Sequence, residues 1–314
     1  MRILIVNSTL RDREKGVIAY IQNSLALQSI FQRYGMECDN VYANDYHHPV
    51  EKKYDVILFT AGAYWNPFVI KSDKDSCFSM EKVYENNPTA IFGWITNEYN
   101  LTIDGFYKPF FKNRRTIVLK NYFHSSTTTK KFFDEEYCVN INVFRHKELP
   151  KKQKKYEIIY YGSYRPNREE YFVKYFKRPL IVSMISKNRK RLRVLGCNPL
   201  FMNKLNWKAS DLSKFKFSLY LEDNFTHDNY NHLGDRFYES VMSNTVNLFD
   251  KSCIKTLNKS KYDNFEPFII DNIEDVKLKN YDELVSIQNE QWKPIIQQEK
   301  KEEEEKLITT FKNL

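Results

Sequence analysis

The sequence predicts an α/β protein built from two Rossmann-like halves and a C-terminal helix. Three observations carry that expectation. Short apolar runs alternate with longer amphipathic segments, the pattern of a parallel sheet flanked by helices. The rhythm breaks once, at ELPKKQKKYE (148–157), and then restarts. At 314 residues the chain also exceeds the usual size of a single hydrophobic core.

In the first half the runs RILIVN (2–7), ECDNVYA (37–43), YDVILFTAG (54–62), TAIFGWIT (89–96), TIVLKN (116–121) and VNINVF (139–144) are expected as strands. Helices are expected between them over 17–34 and 79–86. The segment 148–157, with a proline and four lysines, suits an exposed crossover between domains. Beyond it come the strands YEIIYYG (156–162), LIVSMI (180–185), RLRVLGC (191–197), FSLYLED (217–223), VNLF (246–249) and FIID (268–271), with helices over 167–177 and after Gly234. From Tyr281 onward the chain reads as helix interrupted at Pro294, and its tail KKEEEEK as a solvated face. The domains follow as 1–148, 156–280 and a helical segment 281–314.

A hydrophobic fraction of 42% and an aromatic fraction of 16% exclude a disordered chain despite a mean hydropathy of −0.63. Formal charge is 49 − 40 = +9, and the acidic run at 300–305 makes the remainder more basic still. An anionic partner fits this balance, as does ordinary solubility. The basic clusters are Lys112, Arg114 and Arg115; Lys151, Lys152, Lys154 and Lys155; and Lys187, Arg189, Lys190, Arg191 and Arg193. Five widely spaced cysteines without CxxC suit reduced thiols in a cytoplasmic compartment. The opening MRILIVNS is too short for a signal peptide and no stretch nears eighteen apolar residues, so a cytoplasmic protein without a membrane partner is expected.

Two glycine turns concentrate the candidate chemistry. Gly162 closes YEIIYYG and opens GSYRPNRE, placing Ser163, Arg165 and Arg168 where a helix N-terminus and guanidinium forks suit phosphate. Gly234 opens GDRFYE, in which Arg236 and Glu239 share one helix face. Taken alone, RxxE is an exposed intrahelical ion pair and GSYR an ordinary strand-to-helix turn. Asp73-Lys74-Asp75 spells a DxD but sits in a polar stretch and reads as loop. His47-His48, His227 and His232 lack ligand spacing, and no structural metal is expected.

Together, YGSYRPNRE, LEDNFTHDNYNHLGDRFYE, SVMSNTVNLFD and the late LVSIQNE resemble two-domain nucleotide-sugar glycosyltransferases, most closely the bacteriophage DNA β-glucosyltransferase family, which transfers glucose from UDP-glucose to hydroxymethylcytosine DNA. The likeness touches most of the chain and thins in the first half. It implies a GT-B-type fold, two Rossmann-like domains facing a central cleft, with 1–148 binding the acceptor DNA and 156–280 the UDP-sugar. By resemblance Arg165, Arg168 and Arg236 hold the diphosphate and Glu239 the ribose hydroxyls, with Gly162 and Ser163 in the turn and Asp223 in the sugar pocket. The family's catalytic base follows a strand ending in F-T-D; here the ungapped position is Asn97, an amide, so Glu98 is the candidate general base. An acidic sugar contact near the first helix has its counterpart at Gln22 or Asn23, with Glu14 nearby.

The resemblance implies inverting transfer to 5-hydroxymethylcytosine in double-stranded DNA by a monomer, with base flipping and a basic cleft supplied by Lys112, Arg114 and Arg115 on one side and Arg189, Lys190 and Arg191 on the other. A loosely bound Mg2+ or Mn2+ at the leaving UDP is compatible with it. Two alternatives stay open: a glycosyltransferase acting on a cell-surface glycan, lipid or protein, and a nucleic-acid-binding protein with a decayed donor site.

Overall fold

The apolar runs become strands because parallel sheets bury both faces, and near-continuous Ile, Val, Leu and Phe satisfy both at once. Ile3, Leu4, Ile5 and Val6 are each at most 1% exposed, as are Val56 to Phe59. The computed structural model describes residues 1–7, 18–42, 51–59, 82–96, 114–120, 133–144, 147–162, 166–177, 181–183, 193–197, 200–201, 209–222, 224, 227 and 233–314. The chain divides into unit 1, Met1–Arg145 with Lys301–Leu314, and unit 2, His146–Lys300.

Unit 1 holds β1 (Arg2–Asn7), β2 (Glu37–Tyr42), β3 (Val56–Phe59), β4 (Ile91–Thr96), β5 (Thr116–Lys120) and β6 (Glu135–Cys138) in the order β2-β1-β3-β4-β5-β6, every pair parallel. Its core stacks Phe59 on Trp94 with ring centroids 4.5 Å apart, within a cluster including Leu4, Ile57, Tyr84 and Phe92. Gly93 in β4 lets the layers close, since a β-carbon there would run into the Leu58 side chain. Helix α1 (Ile18–Arg33) buries Leu27, Ile30 and Phe31, spaced i, i+3 and i+4, and Phe31 meets Phe311 at 4.6 Å.

The sixth strand corrects the sequence expectation. VNINVF is not a strand: Ile141–Val143 forms a 3-10 turn capped by the Asn140 side chain, which accepts from the Asn142 N–H at 3.3 Å, and the pairing segment is the preceding EEYC. The apolar run is buried as a packed turn rather than as sheet.

Unit 2 holds β7 (Tyr156–Tyr160), β8 (Ile181–Ser183), β9 (Leu200–Phe201), β10 (Phe215–Tyr220), β11 (Val246–Asp250) and β12 (Ile269–Ile270), all parallel, in the order β12-β11-β10-β7-β8-β9. The helices that matter to the site are α2 (Glu169–Tyr175) and α3 (Asp235–Met242). RLRVLGC, expected as a strand, is helical at Arg193 and Val194 and turns at Gly196, whose φ of +74° ends it; the strand follows at Leu200.

The C-terminal segment also differs from expectation. It runs through α4 (Tyr281–Ile287), a π-helical turn (Gln288–Trp292) and α5 (Lys293–Lys312). Pro294 does not end the helix, because the wider turn just before it accommodates the missing N–H and the ring. That turn buries Trp292 against Phe268, 4.2 Å between centroids. Residues up to Lys300 belong to unit 2 and Lys301–Leu314 to unit 1. The lysine-rich segment is tied to unit 2: Leu149 N–H donates to the Met242 carbonyl at 2.9 Å, and Lys154 donates to the carbonyls of Ser213 at 2.9 Å and Asn244 at 2.6 Å.

Candidate functional site

The sheet of unit 2 grows in two directions from its middle, β8 and β9 to one side of β7, β11 and β12 to the other side of β10. Such an order leaves a crevice outside the carboxyl ends of the two middle strands, the place where open α/β sheets bind ligands. Polar and charged residues stand at both of those ends. β7 runs into Tyr161 and Gly162, and β10 into Leu221 and Glu222.

Helix α3 delivers Arg236 to this point. Its N-cap, Gly234, donates its N–H to the Tyr220 hydroxyl at 2.7 Å, anchoring the helix start to the last residue of β10. Arg236, in the first turn, donates from Nη2 to the Leu221 carbonyl at 2.9 Å and to the Glu222 carboxylate. Its guanidinium lies 5.2 Å from the Tyr220 ring and 5.6 Å from the Tyr160 ring. Burial works to lower the Arg236 pKa, but the Glu222 carboxylate and the surrounding tyrosines outweigh it and raise it.

Arg168 comes from the other side. Pro166–Arg168 forms a 3-10 turn leading into α2, and Arg168, 5% exposed, donates to the second oxygen of Glu222. One carboxylate thus bridges two guanidiniums at the switch point. Glu239 lies one turn beyond Arg236 on the same helix and interacts with Tyr161. The Tyr161 hydroxyl donates to the Arg236 carbonyl at 3.0 Å; burial and the Glu239 charge push its pKa well up.

The fold therefore brings together Gly162, Arg168, Arg236 and Glu239, which the sequence singles out, and adds Glu222, which it does not. The sequence points to the neighbouring Asp223 instead. The available signal was electrostatic: arginines gathered at one sheet edge need a buried counter-charge, and LED supplies two carboxylates side by side. Ser163, Arg165 and Asp223 lie outside the described residues, as do Asn97 and Glu98 immediately after β4, and Lys112, Arg189, Lys190 and Arg191.

Arg114 and Arg115 are engaged within unit 1. Arg114 donates to the carbonyls of Asn87 at 2.8 Å and Tyr84 at 2.9 Å, with its guanidinium 4.5 Å from the Phe92 ring. Two of the five N–H donors of Arg114 are thus held on backbone within unit 1. Arg115 pairs with Glu135 and donates to the Leu314 carbonyl at 2.9 Å. Asn23 is buried on α1, and the side chains of Glu14 and Gln22 lie outside the described residues. His227 is a core histidine whose Nδ1 bonds the Thr256 hydroxyl at 2.7 Å. Among the described residues no three His, Cys, Asp or Glu side chains gather to hold a metal, and no helix is long and apolar enough to cross a membrane.

Two parallel Rossmann-like sheets in one chain, with a polar switch point in the second, define a GT-B-type α/β architecture. Particular solved chains share it. A mutant of T4 phage BGT in complex with UDP-glucose matches over 99% of both chains with a TM-score of 0.72 at 17% identity. An α-glucosyltransferase in complex with UDP and a 13-mer DNA containing a central A:G mismatch matches over 98% of this chain and 95% of that one, with a TM-score of 0.57 at 11% identity. The α-glucosyltransferase AGT in complex with UDP gives the same TM-score and coverage at 12% identity. No family model matches the sequence, and no curated protein matches it.

Proposed function

We propose that this protein is a UDP-glucose-dependent glycosyltransferase that modifies 5-hydroxymethylcytosine in double-stranded DNA with inversion. The observation that carries the reading is the pair of arginines bridged by one carboxylate at the switch point, with a second carboxylate one helical turn away. A diphosphate needs several cationic donors and a nucleoside needs an acceptor for its ribose hydroxyls; this constellation has both. The similar chains solved with UDP-glucose, with UDP, and with UDP and DNA support the same donor and acceptor classes.

In this reading Arg168 and Arg236, with Arg165, take the diphosphate and stabilise the charge that grows on it as the glycosidic bond breaks. Glu239 accepts from the ribose. Glu98 removes the acceptor hydroxyl's proton as the oxygen attacks the anomeric carbon from the face opposite UDP, and Asn97 lies beside it in sequence. Asp223 contacts the sugar. Lys112, Arg189, Lys190 and Arg191, with Arg114 and Arg115, supply phosphate contacts to the duplex.

Two titrations test the reading. UDP is expected to raise the melting temperature, and uridine far less, because the phosphates carry the binding. Affinity for hydroxymethylated duplex is expected to fall linearly with salt on logarithmic axes, by about 0.9 per phosphate neutralised. UDP binding combined with salt-independent or absent DNA binding would direct the reading to a neutral acceptor such as a glycan.

A further inference from the structure

We infer that the Tyr160 hydroxyl and the Nη1 of Arg236 form a two-donor seat for one oxygen of a phosphate group, built over the α-carbon of Gly162. The inference rests on the UDP-sugar reading and adds a residue, Tyr160, to it.

Tyr160, the last residue of β7, is fully buried, and its hydroxyl has no hydrogen-bond partner among the described residues. The Nη1 of Arg236 is likewise buried with no partner among them. Buried polar groups are nearly always bonded, so two orphans in one place are unusual. They converge. A β-carbon on Gly162 would stand 2.9 Å from Tyr160 Oη and 3.0 Å from Arg236 Nη1. Any side chain at 162 would collide with both donors, so the position suits glycine.

The surroundings explain why these two atoms are left over. The other terminal nitrogen of Arg236 is committed to the Leu221 carbonyl and to Glu222, which fixes the fork and turns Nη1 toward Gly162. Glu222 acts through Arg236 and is a positioning residue. Among the described residues, the rings of Phe172 and Phe176 lie 5.6 and 5.4 Å from that of Tyr160 and offer no acceptor. A guanidinium nitrogen only donates, and a phenol donates readily, so an oxygen accepting from both satisfies the pair, and an anionic phosphate oxygen does so most strongly. Gly162 follows the strand end at the switch point, where a phosphate of a nucleotide ligand belongs.

Tyr160→Phe tests this, because it removes the hydroxyl and nothing else. The free variant is expected to melt at or above the wild-type temperature, since an unsatisfied buried hydroxyl has been deleted. Its affinity for UDP and for inorganic pyrophosphate is expected to fall about ten-fold, while affinity for uridine is unchanged. In the Arg236→Ala background the same change is expected to cost UDP affinity less than in wild type, because the two donors share one oxygen. Unchanged UDP and pyrophosphate affinity in Tyr160→Phe, equal losses for uridine, or a lowered melting temperature in the free variant would overturn the proposal. A wild type that binds pyrophosphate but not UDP refutes the UDP-sugar reading alone, and the pyrophosphate arm then decides the seat. A wild type that binds neither overturns both.

Discussion

Two arginines, one in each unit, are held in opposite ways. Arg114 in unit 1 gives both terminal nitrogens to carbonyls, those of Asn87 and Tyr84, and lays its guanidinium over Phe92. Each of these acceptors is neutral, and burial lowers its pKa. Arg236 in unit 2 meets a carboxylate, its pKa is raised despite burial, and one terminal nitrogen has no partner among the described residues. A cation that serves the fold spends its donors inside its own unit. In the proposed reading, a cation set for a ligand is oriented by a nearby carboxylate and holds a donor in reserve. Lys154 belongs to the first kind, with carbonyls of Ser213 and Asn244 and the ring of Tyr281 5.4 Å away; burial, and then Lys151, pull its pKa down to about 8.

The largest effect that tests the contrast is at Glu222. Glu222→Ala leaves two buried guanidiniums without their shared counter-charge, and is expected to lower stability by about 3–5 kcal/mol, read by urea unfolding. Because the competing anion is gone, UDP should restore more stability to this variant than to wild type. An unfolding midpoint unchanged from wild type would mean that the bridge contributes nothing. Arg114→Ala comes next: loss of two charge-assisted bonds to backbone carbonyls is expected to cost roughly 3 kcal/mol of stability with UDP affinity unchanged.

Arg236→Ala should show the converse pattern. UDP affinity is expected to fall by about 1.5–3 kcal/mol, measured by calorimetric titration, the usual worth of a charge-assisted hydrogen bond. Glu239→Gln should weaken UDP more than pyrophosphate, because its proposed partners are ribose hydroxyls. Equal losses for the two ligands would place Glu239 on the phosphates instead.

The smallest effect is Lys154's pH dependence. Its folded pKa of about 8 lies below the ordinary 10.5, so between those values the unfolded chain binds more protons and Lys154's contribution to stability rises with pH. Lys154→Met is expected to remove that rise, seen as the difference between the two proteins' unfolding free energies from pH 7.5 to 10. A constant difference across the window would show that Lys154 titrates normally.

The sequence makes the sheets legible where apolar runs are long enough to be buried on both faces, as in RILIVN or VNLF. It misleads at VNINVF, where an apolar run is packed as a turn because the capping Asn140 offers the backbone another arrangement, and at RLRVLGC, where the chain is helical at Arg193 and exposed Val194 and turns at a left-handed Gly196. Of the site, the turn glycine and the two described arginines are readable from spacing after a strand. Glu222 and Tyr160 are not, because their significance lies in what they meet across the β7–β10 pair, 54 to 76 residues away in sequence.

The central claim is that the Arg168–Glu222–Arg236 site serves glucose transfer from UDP-glucose to modified DNA. The most direct measurement incubates the protein with UDP-glucose labelled in the sugar and a duplex carrying 5-hydroxymethylcytosine, beside the same duplex carrying cytosine. Label is predicted to enter only the hydroxymethylated duplex, and to be lost with Arg236→Ala and with Glu98→Gln, the latter while UDP still binds. No label in either duplex, or label that enters the hydroxymethylated duplex as well with Arg236→Ala as without it, would contradict the account.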